Sequence, residues 1–174
     1  MGAGKSITLV GAIIAVVTLL LSFIVPQYFG WYRIEGTVLG ITGGVYFTGL
    51  GTLASVPAGG PTGFDYLQLI GGIALIVGVV ACIIGAVKEM KAAGIVGGIL
   101  ILVSPLILII DLAISASGFA ALIMSLGGPP GASVFWGSFL IVGPPDVLLS
   151  WGIWIGTFLS LGGGVLGIIG GATL

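Results

Sequence analysis

Few side chains in this 174-residue chain can do chemistry. It has no His and one Cys, with four Lys or Arg and five Asp or Glu. General acid–base catalysis most often uses His, and zinc and haem sites ordinarily need His or several Cys. The expectation is therefore a non-enzymatic chain with no catalytic residue, metal site or cofactor. Cys82 lies in an apolar run, as a small buried hydrophobe does, and has no second Cys for an intramolecular disulfide. Asp111 is the only ionisable residue inside a predicted membrane span, which makes it the candidate intramembrane polar site. Its place near the end of that span favours a helix-end role over an ion or proton site, since no second intramembrane acid or base is expected to relay a proton. The opening MGAGKS ends like a phosphate-binding loop but lacks that motif's first Gly and preceding strand. Lys5 reads instead as a membrane flank.

The elements that would position these groups follow from composition. The chain is 58% hydrophobic and 5% charged, with a net charge of -1, whereas soluble domains carry about a quarter charged residues. Without a basic run it has no means of neutralising phosphates, so nucleic acid is not an expected partner. A hydrocarbon layer about 30 Å thick needs ~20 apolar helical residues. Runs of that kind cover residues 7–25, 67–87, 92–113 and 147–169, and Pro26 closes the first. The first run is read as a retained helix and not a cleaved signal peptide, for want of a small-residue cleavage site. The fold class expected is an all-α integral membrane protein: a single tetraspan domain over residues 1–174, multi-pass in the cell membrane. Lys5, Lys88 and Lys91 fall on one side of it, so the positive-inside bias places both termini and the KEMK turn in the cytoplasm. External loops then cover about residues 27–66 and 115–146. Their β-branched, aromatic and Gly-punctuated stretches, YRIEGTVLGITGGVYF and ASVFWGSFLIVG, predict strands of a small antiparallel sheet formed by both loops.

Spanning helices associate through close packing of small residues, because lipid is as apolar as Leu. Gly71, Gly78 and Gly85 recur at the left-handed period with Ala74 and Ala81 between them, and Gly11, Ala15, Thr18 and Ser22 form a similar seam. Gly152 with Gly156, and Gly163 with Gly167 and Gly171, repeat at four-residue spacing in the last span. A tight left-handed four-helix bundle is expected, with Pro105 bending the third span. Aromatic side chains gather at the outer boundary. Most suit an interfacial belt, and Phe29, Trp31, Tyr46, Phe47, Phe135, Trp136 and Phe139 are the candidates for partner contact.

The order of these features resembles the claudin and peripheral-myelin-protein superfamily of tetraspan membrane proteins. The carriers are VPQYFGWY after the first span, GVYFTGLGTLAS with Tyr46, Gly49 and Leu50, and SWGIWIGTFLSLGGGVLG near the end. Gly51 stands where the family has Trp, and the two first-loop cysteines of the family are absent. The resemblance implies a left-handed four-helix bundle topped by a sheet from both outer loops, with the sheet mediating contacts. The expected function is self-association or lateral contact with partners through helices and external loops. An accessory subunit of a larger integral membrane complex, such as a respiratory or other redox complex, is the alternative. An oligomeric channel ranks third, with Thr8, Thr18, Ser22 and Ser104 as its hydroxyls. Expected partners are membrane lipids and other membrane proteins or further copies of the chain.

Overall fold

The computed structural model describes residues 2–57 and 63–174; residues 58–62 of the first loop lie outside the described residues. Helix α1 (Ala3–Ile24) ends where Val25, which precedes Pro26, leaves helical geometry at φ -136°, as a residue before proline tends to. A short α2 (Pro26–Phe29) begins with that proline. Three strands follow, β1 (Tyr32–Val38), β2 (Ile41–Phe47) and β3 (Leu53–Val56), then α3 (Tyr66–Lys88) and α4 (Lys91–Ser125). Strands β4 (Trp136–Ile141) and β5 (Val147–Ile153) lead into α5 (Ile155–Ala172). Helices α1, α3, α4 and α5 are each long and apolar enough to cross a membrane.

The junctions have local causes. Asp65 caps α3, its Oδ1 accepting from Leu67 N at 2.8 Å and Gln68 N at 3.2 Å, which satisfies two otherwise orphaned donors. At the other end Glu89 turns left-handed at φ 56° and its N–H binds Gly85 O, closing the helix as such caps do. The turn at Glu89 and Met90 is thus the link between two antiparallel helices.

Two boundaries differ from the sequence expectation. Residues 147–153, read as the start of the fourth span, form β5, and the helix begins only at Ile155. VLLSWGI has apolar residues on both strand faces, so hydropathy cannot separate it from helix. Helix α4 runs on past residue 113 to Ser125; its 35 residues reach about 52 Å, well beyond a hydrocarbon layer. Those added turns serve the sheet.

The five strands form one antiparallel sheet in the order β3-β2-β1-β5-β4, so the two loops join through β1 and β5. Tyr32, Ile34, Phe47, Trp151, Leu149 and Phe139 share one face by register, and the last turns of α4 pack against it. Phe119 meets Trp151 edge-on with ring centroids 5.3 Å apart, and Ile123 is buried in the same cluster. Side-chain donors then pin loops to this layer. Tyr32 Oη donates to Val134 O at 2.7 Å, Trp151 Nε1 to Ser133 O at 2.7 Å, and Thr157 Oγ1 to Trp31 O at 2.7 Å.

Between the long helices the contacts are backbone to backbone. A Cβ placed on Gly78 would lie 2.6 Å from Gly97 O, one on Gly163 2.9 Å from Gly11 O, and one on Gly171 2.5 Å from Gly94 C. Helix pairs α3–α4, α1–α5 and α4–α5 therefore meet at distances that only glycine permits. Gly71 packs on Ser104, Gly85 on Gly94 and Gly167 on Gly98. Gly152 and Gly156, read as helix-packing residues, do other work. Gly152 lies in β5 against Phe135 and Trp136, and Gly156 opens α5 against the backbone of Phe29 and Gly30.

Gly78→Ala is expected to cost about 1–3 kcal/mol, because the intruding atom meets backbone that cannot rotate away. Gly118→Ala, in exposed helix with nothing near its Cβ position, should instead gain roughly 0.5–1 kcal/mol. Thermal unfolding in a mild detergent reads both, and equal effects would contradict the seam.

Candidate functional site

Two polar constellations flank the sheet. Arg33, Glu35 and Tyr46 lie on the face away from α4, brought together by the β1–β2 register. Arg33 Nη1 pairs with Glu35 Oε2 at 2.7 Å, Tyr46 Oη donates to Glu35 Oε1 at 2.9 Å, and the guanidinium carbon sits 3.4 Å from the Trp154 ring centroid. Both Glu35 carboxylate oxygens are thereby engaged within the cluster. That arrangement fixes β1 to β2 and to the start of α5. Burial, followed by the hydrogen bond and charge of Glu35, pushes the Tyr46 phenol well above the ordinary tyrosine range, with Arg33 acting in the opposite sense. Burial alone does the same for Tyr32.

The second constellation lies between the other sheet face and the long helices. A cavity of about 240 Å³ is walled by Tyr32, Ile34, Phe47, Leu108, Phe119 and Val134, with Asp65 and Asp111 in the same lining. Asp111 reaches this lining from α4 and Asp65 from the cap of α3. Gln68 is 2% exposed and its Nε2 has no hydrogen-bond partner. Phe47 and Asp65 also border an open groove of about 510 Å³ with Leu53, Phe64, Tyr66 and Leu67. Among the described residues no group of three His, Cys, Asp or Glu is placed to hold a metal ion. What the site offers is two carboxyl groups beside apolar and aromatic walls.

The structure sorts the contact candidates. Trp31 is fully buried with an unpartnered Nε1, and Tyr46 is buried within the polar cluster, so both are internal to the chain. Phe47 and Phe139 lie half-buried on the inner sheet face, and Phe29 and Phe135 are half-buried at its margins. Trp136, on the edge strand β4, is 69% exposed. The hydroxyls of Thr8, Thr18, Ser22 and Ser104 are all buried among the helices; Ser22 Oγ accepts from Gly49 N at 3.1 Å and so ties α1 to the turn after β2. Asp111, expected near the end of its helix, lies well inside α4, which runs on to Ser125. Asp65, in the same lining, was legible only as an acid preceding an apolar run, the signature of a helix cap.

Sequence reasoning missed the exposed rim of the sheet. Val38 pairs with both Ile41 and Val147, so the β1–β2 and β4–β5 hairpin tips lie side by side. That rim is roughly 20 Å along the strands from the helix ends. Leu39, Ile41 and Val142 there are 86%, 77% and 83% exposed.

The two raised phenols give a pH dependence of definite sign. The folded state keeps protons that the unfolded tyrosines release above about pH 10, so this contribution to stability is complete below that value and is lost as pH rises beyond it. Alkaline titration followed by phenolate absorbance should show two late-ionising tyrosines, one of which disappears in Tyr46→Phe; four ordinary titrations would contradict the burial of both. Compared with known proteins, no family model matches the chain and no curated sequence matches it.

Proposed function

We propose that this chain is a non-enzymatic, multi-pass membrane protein that works by contact, and that its meeting surface is the rim formed by the two adjacent hairpin tips. The observation that carries this reading is the exposure of Leu39, Ile41 and Val142 on the part of the chain farthest from the four apolar helices. Apolar side chains at a strand turn in water gain nothing from their position unless something covers them. Leu39 adds a second argument. It has φ 51° at the first position of a two-residue turn, followed by Gly40 at φ 80°, where Asn-Gly is the favoured pair. A leucine in that left-handed position costs about 1 kcal/mol, a strain of the kind that gathers where surfaces are used.

A left-handed bundle with both termini in the cytoplasm completes the reading. Gly2, Lys5, Glu89 and Thr173 line one shared cavity, which supports a common side for both termini and the charged turn, with the sheet on the opposite, external side. A sheet joined from both outer loops and carried by four apolar helices is also what a claudin-like relationship would imply. The partner we favour is a second copy of the chain, and a different membrane protein in a larger complex is the second reading.

The double variant Leu39→Asn/Val142→Asp separates contact from folding, since Asn suits the turn and should raise stability by up to about 1 kcal/mol. Wild-type protein in native lipid discs is expected to run as dimers or a ladder on native electrophoresis, and the variant as a monomer with an unchanged or higher melting temperature. One stoichiometric foreign protein in the wild-type band, lost in the variant, would instead favour the accessory-subunit reading. A strictly monomeric wild type with no partner would overturn both.

A further inference from the structure

On the sheet face away from α4, the Arg33–Glu35 pair borders a pocket of about 290 Å³ that Gln27, Tyr28, Tyr46 and Trp154 also line. Its charges cancel, and no other Lys, Arg, Asp or Glu lines it among the described residues. An anion would meet the Glu35 carboxylate there, and an ammonium the Arg33 guanidinium. Hydrogen-bonding capacity nevertheless remains. A guanidinium carries five N–H donors; Nη1 is used on Glu35, and Arg33 makes no further hydrogen bond among the described residues. Trp154 covers one face of the group, so the remaining donors project from its edge. Glu35 is 9% exposed, and each of its oxygens holds one partner and keeps a further lone pair. The side-chain amide of Gln27 makes no bond within the described residues, while its backbone oxygen accepts from Trp154 Nε1 at 3.0 Å.

Donors and acceptors side by side with no net charge suit hydroxyl groups, which both give and take hydrogen bonds. Tyr28, 61% exposed, adds an aromatic wall. A sugar ring presents that combination, an apolar C–H face with a rim of hydroxyls. The volume has room for roughly ten groups of water size, about one hexose with its hydroxyls. We propose that this pocket binds a single neutral hexose, its hydroxyls accepting from Arg33 and Gln27 and donating to Glu35, with the ring lying against Tyr28. Gln27 and Tyr28 belong to α2, directly after the first long helix, and Trp154 directly precedes α5. With the helices in lipid, the pocket therefore lies at the level of the lipid head groups. The inference takes only that placement from the contact reading: a chain recovered folded in lipid discs that binds no hexose fails this inference alone.

The test uses the full chain in discs of phosphatidylcholine, phosphatidylglycerol and monohexosyl diacylglycerols of glucose and galactose in equal parts. Native mass spectrometry should find one hexosyl lipid retained per chain in preference to both phospholipids. Gln27→Leu/Tyr28→Ala should lower that retention at least fivefold with an unchanged melting temperature, since neither side chain is bonded within the chain. Arg33→Lys, which keeps a charge for Glu35 but loses the planar donors, should lower it similarly. Tyr66→Ala, at an equally exposed tyrosine outside the pocket, should leave it unchanged. Methyl glucoside and methyl galactoside, added to discs without glycolipid and read by saturation-transfer NMR, separate the sources of the sugar. Saturable binding lost in the Gln27/Tyr28 variant marks a water-borne hexose, and lipid retention without it marks a membrane glycolipid. Equal retention of phosphatidylglycerol, retention unchanged in the Gln27/Tyr28 variant, or neither lipid retention nor saturable glycoside binding would overturn the proposal.

Discussion

The close approach of helix backbones at glycine is the constraint on which the rest of the structure depends. Gly78 against Gly97, Gly11 against Gly163 and Gly94 against Gly171 leave no space for a Cβ on either side. For helices in hydrocarbon no hydrophobic force would drive association, and dispersion over closely matched surfaces would hold them. Small residues provide that match at three helix pairs. The large apolar side chains are then left facing outward, as Ile13, Leu20, Ile73, Val80 and Ile110 do. Such an arrangement has little free volume between helices, which is why the buried hydroxyls of Thr8, Thr18 and Ser160 lie within packing surfaces.

The seams set where the sheet can form. They hold the C-terminal end of α1 beside the N-terminal ends of α3 and α5, while α4 runs on past that level to Ser125. Between those ends β1 and β5 pair over seven residues, joining segments distant in sequence. The added turns of α4 cover the inner face through Phe119 and Ile123. With one face covered and the Arg33–Glu35–Tyr46 cluster satisfying the other, the exposed apolar groups of the sheet are displaced to its rim and to β4. The carboxyl pair arises at the same junction, because the α3 cap is brought against the α4 stripe that bears Asp111.

Much of this architecture is legible in the chain. Four apolar runs bounded by Pro26, by Asp65 and by the KEMK turn mark the long helices, and the glycine spacing in α3 marks its packing face. Hydropathy fails where a strand is apolar on both faces: VLLSWGI merges with the helix after it, so β5 and the true place of Gly152 go unseen. The length of α4 is left open by the sequence, since GFAALIMS could continue the third helix or lie on the membrane surface, and the structure has it continue α4 and pack on the sheet. Site residues are harder still. Asp65 and Asp111 lie on different helices, and only the α3–α4 packing joins them. Trp31 and Tyr46 look like surface anchors because aromatic residues at a span boundary usually are, but Trp31, just before β1, is packed against Gly49 and Gly156, and Tyr46 is covered within the Arg33–Glu35 cluster.

The central claim is that the apolar rim meets another protein. Its most direct test is a photoreactive residue placed at Val142 in cells, with a second at Ile83 on an exposed helix face as the comparison. The account expects a protein adduct of defined mass from position 142, either a dimer of the chain or a single partner, with lipid adducts dominating at position 83. No protein adduct from position 142, with the protein folded and in the membrane, would contradict it.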